Sequence, residues 1–267
     1  MSSGLKMSAW RLLKLKVNDA FTNMAIDEAI MKTRIKGTVP NTIRFYQWQP
    51  SAVTIGRFQN IFQEVYIENC KKQRVDVLRR ITGGGAIYHD CDGEITYSVV
   101  ANEKDLGSTD VIVAYNLICN GLIEAAKTLG VKADFNRGDP KHCPNIAIGK
   151  RKISGSAQSH KKGVLLQHGS FLLDIDLKKM FTFLKVPWAK SLEDVLNIAR
   201  ERLTSIKHEL NSNVSTDNAY HALVTGFQKA LHIQLVEGEL TSYEVSVAEK
   251  LRREKFTVDE WNLTGKV

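Results

Sequence analysis

The chain has 267 residues, enough for one α/β domain with a substantial core, and Lys and Arg outnumber Asp and Glu by 37 to 29, a formal charge of +8. No apolar run is long enough to span a bilayer, no signal peptide opens the chain, and no basic block is interleaved with aromatics. These absences argue against a membrane span, a secreted framework and nucleic-acid binding.

Anionic substrates and acidic partner proteins remain to explain the charge. Cys70, Cys91, Cys119 and Cys143 lie far apart without the paired spacing of a zinc site, which fits reduced thiols in a cytoplasmic protein. In chain order, alternation predicts a strand over 11–17, and Met24, Ile26, Ala29 and Ile30 supply the apolar face of a helix over 23–36. Strands over 42–48 and 52–55 flank Pro50, and a short helix over 67–73 precedes a strand over 75–80. A strand over 94–100 and a helix over 111–129 stopped by Gly130 follow. Two strands over 149–158 and 163–170 are joined by a polar turn at 159–162. Helices dominate the rest, over 177–184, within 192–210, over 217–231 and over 243–253. With no repeat or long linker, the expected fold class is α/β (α+β), a mixed β-sheet core with flanking helices. It forms a single domain over 1–267 with its core at about 10–262.

Two stretches carry chemistry. Arg79-Arg80-Ile81-Thr82-Gly83-Gly84-Gly85-Ala86-Ile87-Tyr88-His89-Asp90 places three glycines after a strand, between a basic pair and a Tyr-His-Asp triplet. Consecutive glycines cost backbone entropy, so they point to bare N–H groups lying against a ligand, and the arginines suit an anionic one. A flexible turn or bulge is the plainer reading of the glycines alone. In the second stretch, Gly149 to Gln158, alternation puts Lys150 and Lys152 on one strand face and Arg151 and Ile153 on the other. The small residues Ser154, Gly155, Ser156 and Ala157 leave open space beside the lysine.

With Asn23-Met24-Ala25-Ile26-Asp27-Glu28-Ala29, Ser51 to Asn60 and the ending Phe256 to Asn262, these motifs come in an order that resembles the lipoate–protein ligase A family of the biotin/lipoyl ligase superfamily. The resemblance implies an ATP-dependent ligase. Lipoate attacks the α-phosphate of ATP, and the lipoyl-AMP so formed is consumed by a lysine of an acceptor. The implied acceptor is a lipoyl domain of a 2-oxoacid dehydrogenase or a glycine-cleavage H protein. It also implies Lys152 as the catalytic lysine, Arg80 as the nucleotide-binding arginine, and Gly85, Ala86, Ile87 and Tyr88 as nucleotide-contacting backbone. Gly83 and Gly84 let the acyl chain pass, and His89 shapes the same wall. Mg²⁺ is expected with ATP; where relatives carry an acidic residue this chain has Asn145, with Asp139 as a second candidate ligand. Because the chain stops soon after Asn262, it resembles the split type, whose accessory domain is a separate small subunit.

Cys143 opens an alternative. Octanoyltransferases of the superfamily take octanoate from acyl carrier protein through a cysteine thioester, with the cysteine in the loop upstream of the same lysine. The cations Lys141, His142, Lys150 and Lys152 would favour a thiolate there, and the Gly155 to Gln158 and Leu166 to Ser170 runs resemble that group. The Gly83-Gly84-Gly85 triplet is more ligase-like, so the ligase leads. A biotin–protein ligase is weaker, because its glycine- and arginine-rich loop is missing. A non-catalytic binding module has no need for both Lys152 and the glycine loop.

Overall fold

The computed structural model describes residues 7–138, 143–186 and 188–266. Its strands are β1 (Ser8–Asn18), β2 (Thr42–Trp48), β3 (Ala52–Ile55), β4 (Asp76–Arg79), β5 (Ile87–His89), β6 (Glu94–Asn102), β7 (Asp134–Asn136), β8 (Asn145–Ile148), β9 (Arg151–Lys161), β10 (Val164–Leu172) and β11 (Ile233–Glu237). The α-helices are α1 (Ala20–Ile35), α2 (Ile61–Glu64), α3 (Ile67–Lys72), α4 (Val111–Thr128), α5 (Leu177–Phe183), α6 (Leu192–Arg202), α7 (Ile206–Leu210), α8 (Thr216–Leu231), α9 (Ser242–Leu251) and α10 (Asp259–Thr264). No helix among the described residues is long and apolar enough to cross a membrane.

Eight strands form one sheet in the order β11-β1-β2-β6-β10-β9-β8-β7, and β4-β3-β5 form a small second sheet. The β1–β2 and β1–β11 pairs are parallel and the rest of the large sheet is antiparallel, giving the expected mixed α/β core. Alternation sorts its two faces. Phe45, Tyr97 and Phe171 join the aliphatic core with Phe227 of α8 and Leu122 of α4. Tyr46, Trp48, Thr96, His168 and Ser170 point the other way, toward a cavity bounded by the small sheet.

Local chemistry sets where elements begin. The Asp19 carboxylate accepts from the Thr22 N–H, so α1 starts earlier than 23. The helical region expected within 192–210 is broken: Leu203 bridges Lys152, Thr204 N–H donates to Lys152 O, and Ser205 caps α7. The turn expected at 159–162 is only Lys162-Gly163, with φ of 51° and 74°, because two left-handed residues match the twist of a tight hairpin. The short strands β5, β7, β8 and β11 were not anticipated; three to five residues are too few to show a period.

Candidate active site

The glycine loop is held from inside by Arg80. Its Nη2 donates to Gly83 O (2.6 Å) and Gly85 O (2.8 Å), Nη1 to Thr54 O and Oγ1 (3.2 Å each), and Nε to Thr82 Oγ1 (3.1 Å). Gly84 sits at φ +86°, and a Cβ there would meet Arg80 Nη2 at 3.0 Å, so glycine is required for the brace to close. Burial lowers the pKa of Arg80 to about 10. Arg80 is thus a loop staple whose nitrogens are each already bonded. Arg79, also buried, faces away and ties the 56–59 turn to the carbonyls of Trp261, Asn262 and Leu263.

A relay runs from Arg80 to α1. Thr82 Oγ1 lies 2.7 Å from His168 Nε2, and His168 Nδ1 lies 3.0 Å from Asp27 Oδ2. Asp27 also accepts from Arg44 Nη1 (2.8 Å) and Tyr46 OH (2.9 Å). Because a carboxylate only accepts, His168 carries its proton on Nδ1 and accepts a hydrogen bond from the Thr82 hydroxyl at Nε2. Burial disfavours the imidazolium by more than Asp27 restores, so the pKa of His168 falls below the ordinary histidine value. Burial raises that of Asp27, but the His168 bond and the Arg44 charge outweigh it and hold it below the carboxylate value.

His89 lines the cavity with both ring nitrogens engaged, Nδ1 to Glu94 (2.8 Å) and Nε2 to Thr54 Oγ1 (3.0 Å), and stacks on Trp48 at 4.0 Å. It acts as a wall. Lys152 is aimed by an irregularity: across β8, Ile146 pairs with Ser154 but Ala147 pairs with Lys152, leaving Ile153 as an extra residue. Such a bulge re-aims the neighbouring side chain. Lys150 lies in the preceding turn rather than on the strand, so both lysines line the cavity for reasons other than strand alternation. Lys152 folds over Gly155, where a Cβ would stand 2.9 Å from Nζ. Burial lowers its pKa, the Cys143 charge opposes this, and Arg80 adds to it.

Arg80, Gly84, Gly85, Ala86, Ile87, Tyr88, His89, Cys143, Asn145 and Lys152 all line one cavity of about 910 Å³; Gly83 does not. Cys143 Sγ is 3.8 Å from the Cβ position of Gly84, and its side chain is exposed. Asn145 Nδ2 donates to Cys143 O (3.2 Å), while its buried Oδ1 has no partner among the described residues. For Mg²⁺ this is a poor donor set: the neutral amide oxygens of Asn136 and Asn145, with Glu201 the only carboxylate among the described lining residues. Asp139, like Lys141 and His142, lies outside the described residues.

A family model described as the lipoyl protein ligase A/B catalytic domain matches residues 19–228. The chain belongs to this family. It is 34% identical to octanoyltransferase LipM of Clostridioides difficile (strain 630), covering 96% of this chain and 99% of that one. It is 37% identical to LipM of Symbiobacterium thermophilum, covering 95% and 98%. Its structure resembles the bipartite lipoate protein ligase of Thermoplasma acidophilum, solved with its E2 lipoyl domain, at a TM-score of 0.83 with 31% identity and 97% of each chain covered. A lipoate-protein ligase A bound with ATP matches at 0.83, with 30% identity and 97% and 99% covered. The chain is thus an enzyme of the lipoyl ligase and transferase family, and the relatives of known name favour the octanoyltransferase alternative over the leading expectation.

Within that family site, the role of Asp27, Thr82 and His168 was not read from the sequence, although each falls in a quoted motif. One signal was present. Asp27 is three residues from Met24 and Ile30 on the apolar face of a helix, and a carboxylate there calls for buried cationic or hydroxyl partners.

Proposed function

We propose that this protein is an octanoyl-[acyl carrier protein]:protein octanoyltransferase in which Cys143 is the nucleophile. The observation that carries this is the thiol's position: Cys143 lines the cavity beside the glycine loop, together with Arg80 and Lys152. Lys152 and Arg80 line the same cavity as the thiol, and cations placed there suit the oxyanion formed when the carbonyl is attacked.

The Cys143 sulfur attacks the thioester carbonyl of the octanoyl carrier, and the carbon–sulfur bond to the carrier breaks. The thiol proton of Cys143 ends on the departing carrier thiol. The neutral ε-amine of the acceptor lysine then attacks the acyl-cysteine; an amide forms, and the proton lost by nitrogen returns to sulfur. Lys152 Nζ donates a hydrogen bond to the carbonyl oxygen in both additions. The thioester supplies the driving force, so no nucleotide or metal enters. A lipoyl domain is the proposed acceptor, supported by the one that accompanies the archaeal relative.

The ATP-dependent lipoyl ligase remains the second reading, favoured by the glycine triplet and the ATP-bound neighbour. Intact mass of a lipoyl domain separates the two. The transferase adds octanoyl from octanoyl carrier without ATP and with no second subunit. A lipoyl mass that requires Mg-ATP, survives Cys143→Ala or needs a small accessory subunit would overturn it. Gly155→Ala provides a further check. The new Cβ displaces Lys152 Nζ, so kcat is expected to fall by about 10²-fold with the melting temperature little changed. Undiminished turnover would mean that Lys152 does not act from this position.

A further inference from the structure

A second hollow, of about 610 Å³, lies between α1, α9 and the tip of the β9–β10 hairpin. Its floor is apolar, with Met31, Ile81, Val247 and Trp261, and its lining holds six basic side chains against one acid. That acid, Glu28, is already paired with Lys32 (3.1 Å) and Lys255 (2.8 Å). No carboxylate among the described residues pairs with Lys36, Arg57, Lys161 or Lys162. Instead, Lys36 bonds Tyr243 Oη and the Arg57 guanidinium sits 4.5 Å over the Trp261 ring. Holding like charges together raises the energy of the free protein, and an anionic partner removes that cost.

The hollow also adjoins the cavity. Arg80 lines the cavity, and the next residue, Ile81, lines the hollow. A protein seated here therefore lies across one peptide segment from the glycine loop. A hollow lined by apolar and cationic side chains beside α1 and α9 matches a helix with an apolar stripe flanked by acids.

We propose that this hollow docks an acidic helix of the acyl carrier that brings the octanoyl thioester. This rests on the transferase reading and names the donor's contact surface. In that reaction the carrier is the leaving group, so its recognition must come from surface outside the acyl cavity.

Labelled holo-carrier, which has no acyl group to lose, is titrated with wild-type chain and with the double variant Lys161→Glu/Lys162→Glu. These side chains are exposed at a hairpin tip, so the fold should persist. Wild type is expected to bind with an affinity that falls as salt rises, and the variant about tenfold more weakly. Affinity for a lipoyl domain and acylation of Cys143 by octanoyl-pantetheine should be unchanged. Equal carrier binding by both proteins, no binding by wild type, or a loss confined to the lipoyl domain or to self-association would overturn the proposal. Absence of an octanoyl mass on wild-type Cys143 from octanoyl-pantetheine would sink the transferase reading itself. That failure is distinct from failed docking, because holo-carrier binding needs no chemistry.

Discussion

Cys143→Ala is expected to lower octanoyl transfer by on the order of 10⁴-fold or more while leaving the folded protein intact. The size follows from the chemistry: without sulfur the reaction must pass directly from carrier to lysine amine, losing the covalent intermediate that divides one hard step into two. The fold should persist because the side chain is exposed, and the loop bond from Asn145 Nδ2 goes to the Cys143 backbone oxygen, which alanine retains. Two readings check this together. Denaturing mass spectrometry of wild type given octanoyl carrier should show an octanoyl adduct that is missing from the variant, and thermal unfolding of the two proteins should coincide. Transfer that survives the substitution removes Cys143 from the mechanism and returns the ligase reading to the front.

The largest effect on stability is expected at Asp27. Arg44, Tyr46 and His168 all direct donors at this carboxylate, and Arg44 is itself 3% exposed. Asp27→Ala strands the Arg44 charge in the interior, with an expected loss of about 3–5 kcal/mol in urea unfolding. A loss below about 1 kcal/mol would mean that water reaches the pair. The effect should also reach the site, because the relay from Asp27 through His168 and Thr82 ends on the Arg80 staple.

Both Asp27 and His168 have lowered pKa values, so the unfolded chain binds more protons and stability rises with pH across each window. The His168 contribution is complete above about pH 6.5, the unfolded value, and is lost as pH falls below it; that of Asp27 follows below about pH 4. Urea midpoints measured from pH 8 to 5 should therefore fall less steeply for His168→Gln than for wild type. Parallel curves would show that His168 does not contribute in that range.

The gap between the main reading and the relatives has a chemical cause. The glycine triplet speaks to how closely a ligand can approach the backbone, and that property serves a nucleotide or an acyl thioester equally. Cys143 speaks to the reaction itself. Its weight depended on whether it shares a cavity with Lys152, nine residues on and across a bulge, and spacing alone does not decide that. Arg80 shows the same limit in another form. A buried arginine after a strand suits an anion, yet its bonds go to Thr54, Thr82 and the glycine carbonyls, acceptors that are placed by other parts of the chain.

By itself the sequence determined the mixed α/β class, the long periodic elements, the family, and one part of the cavity lining, Arg80, Gly84 to His89, Cys143, Asn145 and Lys152. Those properties are local: they reside in hydrophobic period and in contiguous motifs such as Arg-Arg-Ile-Thr-Gly-Gly-Gly. Only the tertiary structure decided what each group is free to do. It showed that Arg80 and His89 are already bonded, that Lys152 is turned inward by one extra residue, and that Asp27 reaches the loop through His168 and Thr82. It also gathered cations from α1, the 56–59 turn and the hairpin tip into one hollow. These are matters of which donors meet which acceptors across distant segments, and that pairing exists only once the chain has closed on itself.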